Sequence, residues 1–207
     1  MSMARNIFMG LCALIAGGMV VTAVAKPDQG SKDGAKIGQA APDFSLMDQN
    51  GKTVRLSDYK DKIVVLEWFN NECPFVKKFY REGHMNKFAQ AASEKGVVWL
   101  AINSTHSSNK QSNKSISEEW NIDRPILDDS NGDAGHMYGA QRTPHMFVIN
   151  KGTLAYMGAI DDKASPETSD IDGATNYVLK AIDELQAGQS VSTPETKPYG
   201  CGVKYGK

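Results

Sequence analysis

Ile63-Val64-Val65-Leu66-Glu67-Trp68-Phe69-Asn70-Asn71-Glu72-Cys73-Pro74-Phe75-Val76-Lys77-Lys78 is the stretch on which the fold turns. Ile63 to Phe69 is apolar on both faces apart from Glu67, the pattern of a central strand in a mostly parallel sheet. Pro74 suits the first turn of a helix. Apolar Val76, Phe79, Tyr80, Phe88 and Ala92 then recur at roughly helical spacing, which predicts a helix from Pro74 to about Glu94 with Gly96 as its stop. Cys73 therefore stands where a strand hands over to a helix N-terminus. There the macrodipole and free backbone N–H groups favour the thiolate, the nucleophilic form of cysteine, and Lys77 or Lys78 adds to that effect. The competing reading is a buried, inert cysteine; a strand-to-helix junction favours chemistry because it exposes what it carries.

Outward from this junction the pattern stays α/β. Ala41 to Leu46 and Thr53 to Leu56 read as two strands joined by Asp48-Gln49-Asn50-Gly51-Lys52, with Asn50-Gly51 as the hairpin turn, and Ser57 caps one helical turn. Val97 to Ile102 is the next strand and completes a βαβ unit. Lys110 to Trp120 reads as helix, Pro125-Ile126-Leu127 as a short extended piece and Asp133 to Tyr138 as a small helix. Met146 to Ile149 and Leu154 to Gly158 form a hairpin turning at Asn150-Lys151-Gly152, and Thr175 to Leu185 is a final amphipathic helix.

The chain's ends read differently. Residues 1–25 carry Arg5, then an almost wholly apolar run from Ile7 to Val24, then the small-residue site Ala23-Val24-Ala25: a secretory signal peptide, with an uncleaved anchor as the alternative because the run sits at the lower limit for spanning. Residues 26–36 are a polar, flexible lead-in. Residues 37–188 form one domain, and residues 189–207 a tail containing Cys201. The whole chain holds 23 basic and 24 acidic residues and no basic run, which argues against nucleic acid as partner, and no later apolar run approaches membrane length. Signal cleavage removes Cys12 and leaves two cysteines, Cys73 and Cys201. In an oxidising compartment these form a static disulfide or cycle during turnover.

Several segments together resemble the redoxins, the alkyl hydroperoxide reductase/thiol-specific antioxidant superfamily and its thioredoxin-like relatives. They are Ala41-Pro42-Asp43-Phe44-Ser45-Leu46, Asn50-Gly51-Lys52, Leu56-Ser57-Asp58-Tyr59 and Lys62-Ile63-Val64-Val65-Leu66, followed by Thr143-Pro144 before Phe147-Val148-Ile149 and by Tyr156 to Asp162. Pro198-Tyr199-Gly200-Cys201-Gly202-Val203-Lys204-Tyr205 is similar to the tail of an exported redoxin subgroup. The resemblance implies a thioredoxin-like fold: a central mixed sheet flanked by helices, with an N-terminal β-hairpin extension and a C-terminal tail. It places Cys73 at the nucleophile's position and Val76 where a second cysteine usually stands. It also places Asn70 and Pro144 where peroxiredoxins carry threonine and arginine, so the peroxide-binding set is incomplete.

The implied chemistry is thiol-dependent oxidoreduction on a disulfide or a peroxide, without a cofactor and with an unidentified thiol reductant. Glu67 matches the buried acid of thioredoxins; desolvation would raise its pKa and suit it to proton transfer. A cis bond at Thr143-Pro144 would leave the preceding backbone open to an extended substrate. Trp68, Asn70 and Phe75 shape the cleft around the thiol. Cys201, on a tail able to swing in, resolves the oxidised Cys73, or else stays free, bridges another chain or sits in a static bond. His84-Met85, His136-Met137 and His145-Met146 raise a second class of function, a copper- or partner-binding module. The plainer reading of those pairs, core methionines with surface histidines and no metal, is favoured by the lack of a closely spaced ligand pair.

Overall fold

A computed structural model describes residues 34–206; the proposed signal peptide and most of the lead-in lie outside them. The strands are β1 (Ser45–Asp48), β2 (Thr53–Arg55), β3 (Ile63–Trp68), β4 (Val98–Asn103), β5 (Ile126–Asp128), β6 (Arg142–Thr143), β7 (His145–Asn150), β8 (Thr153–Gly158) and β9 (Cys201–Gly202). The helices are α1 (Pro74–Tyr80), α2 (His84–Glu94), α3 (Lys110–Glu119), α4 (Asp133–Tyr138) and α5 (Tyr177–Gln186), with a 3₁₀ turn at Leu56–Tyr59. Seven strands make one mixed sheet in the order β2-β1-β5-β4-β3-β7-β8, and β6 and β9 make a separate two-stranded ribbon. β3 runs parallel to β4 and antiparallel to β7, so it is central, as its doubly apolar pattern requires.

The alternation along β3 sorts its side chains into two cores. Val65 and Phe69 pack with α1, α2 and α5 on one face, whereas Val64, Leu66 and Trp68 pack with α4 and the N-terminal segment on the other. Each fully buried aliphatic or aromatic side chain here removes enough apolar surface to contribute about 1.5–3 kcal/mol.

Two sequence expectations are corrected. The helix after Cys73 is two helices, because Gly83 adopts a left-handed conformation (φ 69°) and its N–H bonds the Tyr80 carbonyl at 3.0 Å, which turns the chain. The apolar spacing continues across the break, so periodicity alone hides it. Ser57 does not cap the 3₁₀ turn but lies within it. Asp43 serves that corner instead, its Oδ1 accepting the N–H groups of Phe44 and Ser57, both at 3.0 Å. The N-terminal hairpin is present as expected, and β1 pairs with β5, so it extends the main sheet.

Candidate active site

Cys73 occupies the N-cap of α1 with extended dihedrals (φ −73°, ψ 122°), and Pro74 opens the helix. Asn70 builds the turn that delivers it. The Asn70 carbonyl accepts the Cys73 N–H at 3.1 Å, its side-chain oxygen accepts the Glu72 N–H at 2.7 Å, and its amide donates to the Thr105 hydroxyl at 3.2 Å. Asn70 thus fixes the loop that leads into Cys73.

Facing the sulfur is Thr143-Pro144, whose peptide bond is cis. The Cys73 thiol donates to the Thr143 carbonyl at 3.0 Å. Thr143 also pairs with Cys201 in the antiparallel β6–β9 ribbon, which carries the tail cysteine to the same spot. Both thiols are free of disulfide bonds. Burial pushes the Cys73 pKa up, yet hydrogen bonding from the Cys201 thiol, the Thr143 side chain and the backbone amides of Cys201 and Val76 outweighs it and leaves Cys73 below its ordinary value. The Thr143 hydroxyl is buried without a hydrogen-bond partner. The Val76 N–H, in the first turn of α1, bonds the Cys73 carbonyl at 3.0 Å, so Cys73 sits against the helix N-terminus. Cys201 goes the other way. Burial first, then the hydrogen bond and charge of Cys73, push it up to about 11. The pair is therefore asymmetric, one sulfur disposed to be thiolate and the other thiol.

Phe75 packs its ring against Tyr199 of the tail, centroids 5.9 Å apart. Trp68, by contrast, is not at the cleft. As the residue after Glu67 on a strand it faces the opposite core, where Nε1 donates to Ser104 at 3.0 Å and the ring lies 5.0 Å from Phe147. Glu67 is fully buried, and both of its oxygens are occupied: Oε1 accepts from the Tyr80 hydroxyl at 2.7 Å, and Oε2 accepts from Trp99 Nε1 at 2.9 Å and Arg124 at 3.3 Å. These bonds tie β3 to the end of α1 and to the loop before β5, and they do not include Cys73. Arg124 also donates to the Tyr80 hydroxyl at 2.7 Å.

Lys78 likewise does not serve the thiol. It is fully buried, donates to the Lys163 carbonyl at 3.0 Å and lies 3.7 Å from Asp161 Oδ2, while Asp161 Oδ1 accepts the Tyr199 hydroxyl. The sequence reading missed Lys78, Asp161 and Tyr199 as a group because no local pattern links a helix, a post-strand loop and a tail. Among the histidine–methionine pairs, Met85 and Met146 are core residues and Met137 is half-buried. His145, expected at the surface, is buried beside Phe147. Among the described residues no cluster of three or more His, Cys, Asp or Glu side chains is arranged to hold a metal.

Fold and site together define the class: a thiol oxidoreductase with a thioredoxin-like fold. The AhpC/TSA family model matches residues 37–157, more than half of the chain, and the protein belongs to that family. It is similar to the thiol-disulfide oxidoreductase ResA of Bacillus cereus, 26% identical over 147 residues, covering 71% of this chain and 83% of that one. ResA of Geobacillus kaustophilus is 32% identical over 121 residues, covering 58% and 67% of the two chains. Among solved structures, a hypothetical protein from Sinorhizobium meliloti superposes with a TM-score of 0.72 at 26% identity, over 83% of this chain and 95% of the other. The family match ends before Asp161 and Cys201.

Proposed function

We propose that this protein is an exported thiol–disulfide oxidoreductase in which Cys73 is the nucleophile and Cys201 the resolving thiol. The observation that carries the reading is that both cysteines meet at Thr143: its carbonyl receives the Cys73 thiol at 3.0 Å, Cys201 stands opposite it in the β6–β9 ribbon, and the pKa of Cys73 is lowered while that of Cys201 is raised. The Cys73 thiolate attacks one sulfur of a substrate disulfide, forming a mixed disulfide and releasing the first thiolate. Cys201 then loses its proton and attacks Cys73 Sγ. The mixed bond breaks, the second substrate thiolate leaves, and the protein holds a Cys73–Cys201 disulfide. Two electrons have passed to the substrate, and an external thiol reductant restores the dithiol. Thr143, Pro144, Phe75 and Asn70 position the reacting sulfur. Glu67 acts through the placement of α1, because its donors are Tyr80, Trp99 and Arg124. A peroxide is the alternative oxidant, giving a sulfenic acid on Cys73 that Cys201 condenses with, releasing water. Asn70 and Pro144, at the positions of the peroxiredoxin threonine and arginine, favour the disulfide. Export rests on the apolar run Ile7 to Val24 and the Ala23-Val24-Ala25 site. Among the described residues no helix is long and apolar enough to cross a membrane.

Stepwise oxidation followed by mass mapping tests this. The expected product is one internal Cys73–Cys201 bond, with thiol–disulfide exchange lost in C73S. Exchange that proceeds unchanged in C73S sinks the proposal.

A further inference from the structure

The tail is fitted to the body of the protein along its whole described length. Pro194 and Thr196 bracket Met157, whose N–H donates to the Pro194 carbonyl at 3.0 Å and whose carbonyl accepts the Thr196 N–H at 3.1 Å, and the Thr196 hydroxyl oxygen accepts the Ala159 N–H at 2.9 Å. Farther on, the Tyr205 ring stacks on His136 at 4.2 Å and its hydroxyl donates to the Ala140 carbonyl at 2.8 Å. Three glycines are cut to this path. A Cβ on Gly158 would lie 2.2 Å from Thr196 Oγ1, one on Gly135 would lie 2.3 Å from the Tyr205 hydroxyl, and one on Gly200 would lie 2.2 Å from the Thr143 carbonyl oxygen. A tail that only had to swing in towards Cys73 would need none of these.

The segment between those anchors covers the nucleophile. Cys73 is only 2% exposed. The Arg142–Thr143 backbone beside it, the edge on which an extended chain bearing a disulfide would pair, is taken by β9. At the centre of the cover sits a buried charge cluster for which the exchange chemistry has no use. Lys78 belongs to the helix that Cys73 caps, Asp161 follows β8, and Tyr199 precedes Cys201 by two residues. Lys78 faces one Asp161 oxygen and Tyr199 donates to the other.

We propose that residues 194–205 are a strap closed over the substrate edge, that Lys78–Asp161–Tyr199 is its latch, and that a polypeptide disulfide reaches Cys73 only when the strap lifts. The proposal deepens the exchange reading, on which its substrate rests, by naming what the substrate must displace. The strap and an incoming polypeptide compete for the same two-residue edge, so the opened fraction multiplies the rate at Cys73. Removing the Tyr199 hydroxyl deletes a charge-assisted hydrogen bond from the closed form and raises that fraction about tenfold. Adding a methyl at Gly200 drives the strap off Thr143 without touching the latch.

The test uses full-length reduced protein, wild type against Y199F and G200A. Cys73 is labelled with iodoacetamide, its rate is mapped by mass spectrometry and corrected for thiolate fraction from the pH profile, and exchange with a peptide disulfide is timed in parallel. Both variants are expected to label Cys73 about tenfold faster and to exchange faster by a similar factor. A wild-type labelling rate at Cys73 in either folded variant overturns the strap. Labelling is independent of whether Cys73 and Cys201 ever bond, so absence of that bond on oxidation would refute the exchange reading and leave this result standing.

Discussion

Thr143 and Cys201 stand opposite each other in the β6–β9 ribbon, while the Thr143 carbonyl also receives the Cys73 thiol at 3.0 Å. One residue thus fixes the register of the tail and the orientation of the Cys73 thiol. The asymmetry of the two thiols follows, because Cys201 can lower the Cys73 pKa only while this register holds.

Cys201→Ala removes a thiol that lowers the Cys73 pKa and leaves burial, which raises it, less opposed. The Cys73 titration, followed by thiolate ultraviolet absorbance, is expected to move upward by up to about one pH unit, the worth of one ordinary hydrogen bond. An unmoved or lowered titration would mean that the Cys201 side chain does not stabilise the thiolate.

Arg124→Met strands the buried Glu67 carboxylate with only its Tyr80 and Trp99 donors. Breaking a buried pair from one side costs about 3–5 kcal/mol, which denaturant unfolding will read directly. Adding Glu67→Gln to that variant is expected to restore part of the loss, since no charge is then left unpaired.

His145 gives the fold a pH dependence. Burial lowers its pKa from 6.5 to about 4, and its Nδ1 accepts the Gln141 N–H at 3.3 Å, a bond that protonation there would break. The unfolded chain therefore binds more protons between those values, and stability rises with pH across that window. The contribution is present in full above pH 6.5, falls as the pH drops towards about 4, and amounts to about 3 kcal/mol. Unfolding free energies of the wild type and His145→Asn, measured across that window, should diverge with a steeper slope in the wild type.

Trp68→Phe leaves space in the core formed with Tyr138 and Phe147 and removes the bond to Ser104. A loss of about 1–3 kcal/mol in stability is expected. The thiol–disulfide exchange rate of the folded variant is expected to stay at the wild-type value, because Cys73 packs in the core on the other side of β3.

What the sequence revealed was what short-range rules govern. The apolar run of β3, Pro74 behind Cys73, the Asn50-Gly51 turn, the β7–β8 hairpin and α4 at Asp133–Tyr138 all carry their signal within a few residues. The cis bond at Thr143-Pro144 was legible through family resemblance. Strand alternation puts Trp68 on the face opposite Glu67 and Phe69, which places it away from the cleft. Other features have no local trace. Arg124 meets Glu67 across 57 positions and Tyr199 meets Asp161 across 38, and each pairing exists only because the sheet and the tail bring remote segments together. Lys78 looked like a thiolate stabiliser from its nearness in sequence, whereas the helix turns it towards Asp161.

β8 forms one margin of the seven-stranded sheet. Its first half is covered by the segment before β1, with Ala41 N–H on the Gly152 carbonyl and Leu154 N–H on the Gln39 carbonyl, both at 2.9 Å. Its second half is covered by the tail, through Met157 N–H on the Pro194 carbonyl at 3.0 Å. Exposed strand margins recruit other chains, so a protein shortened before Pro194 would uncover backbone donors and acceptors suited to self-association. Size-exclusion chromatography of that shortened protein should show higher-order species beside any monomer. On that expectation, the segment that brings Cys201 to Thr143 also shields the margin of the sheet from other chains.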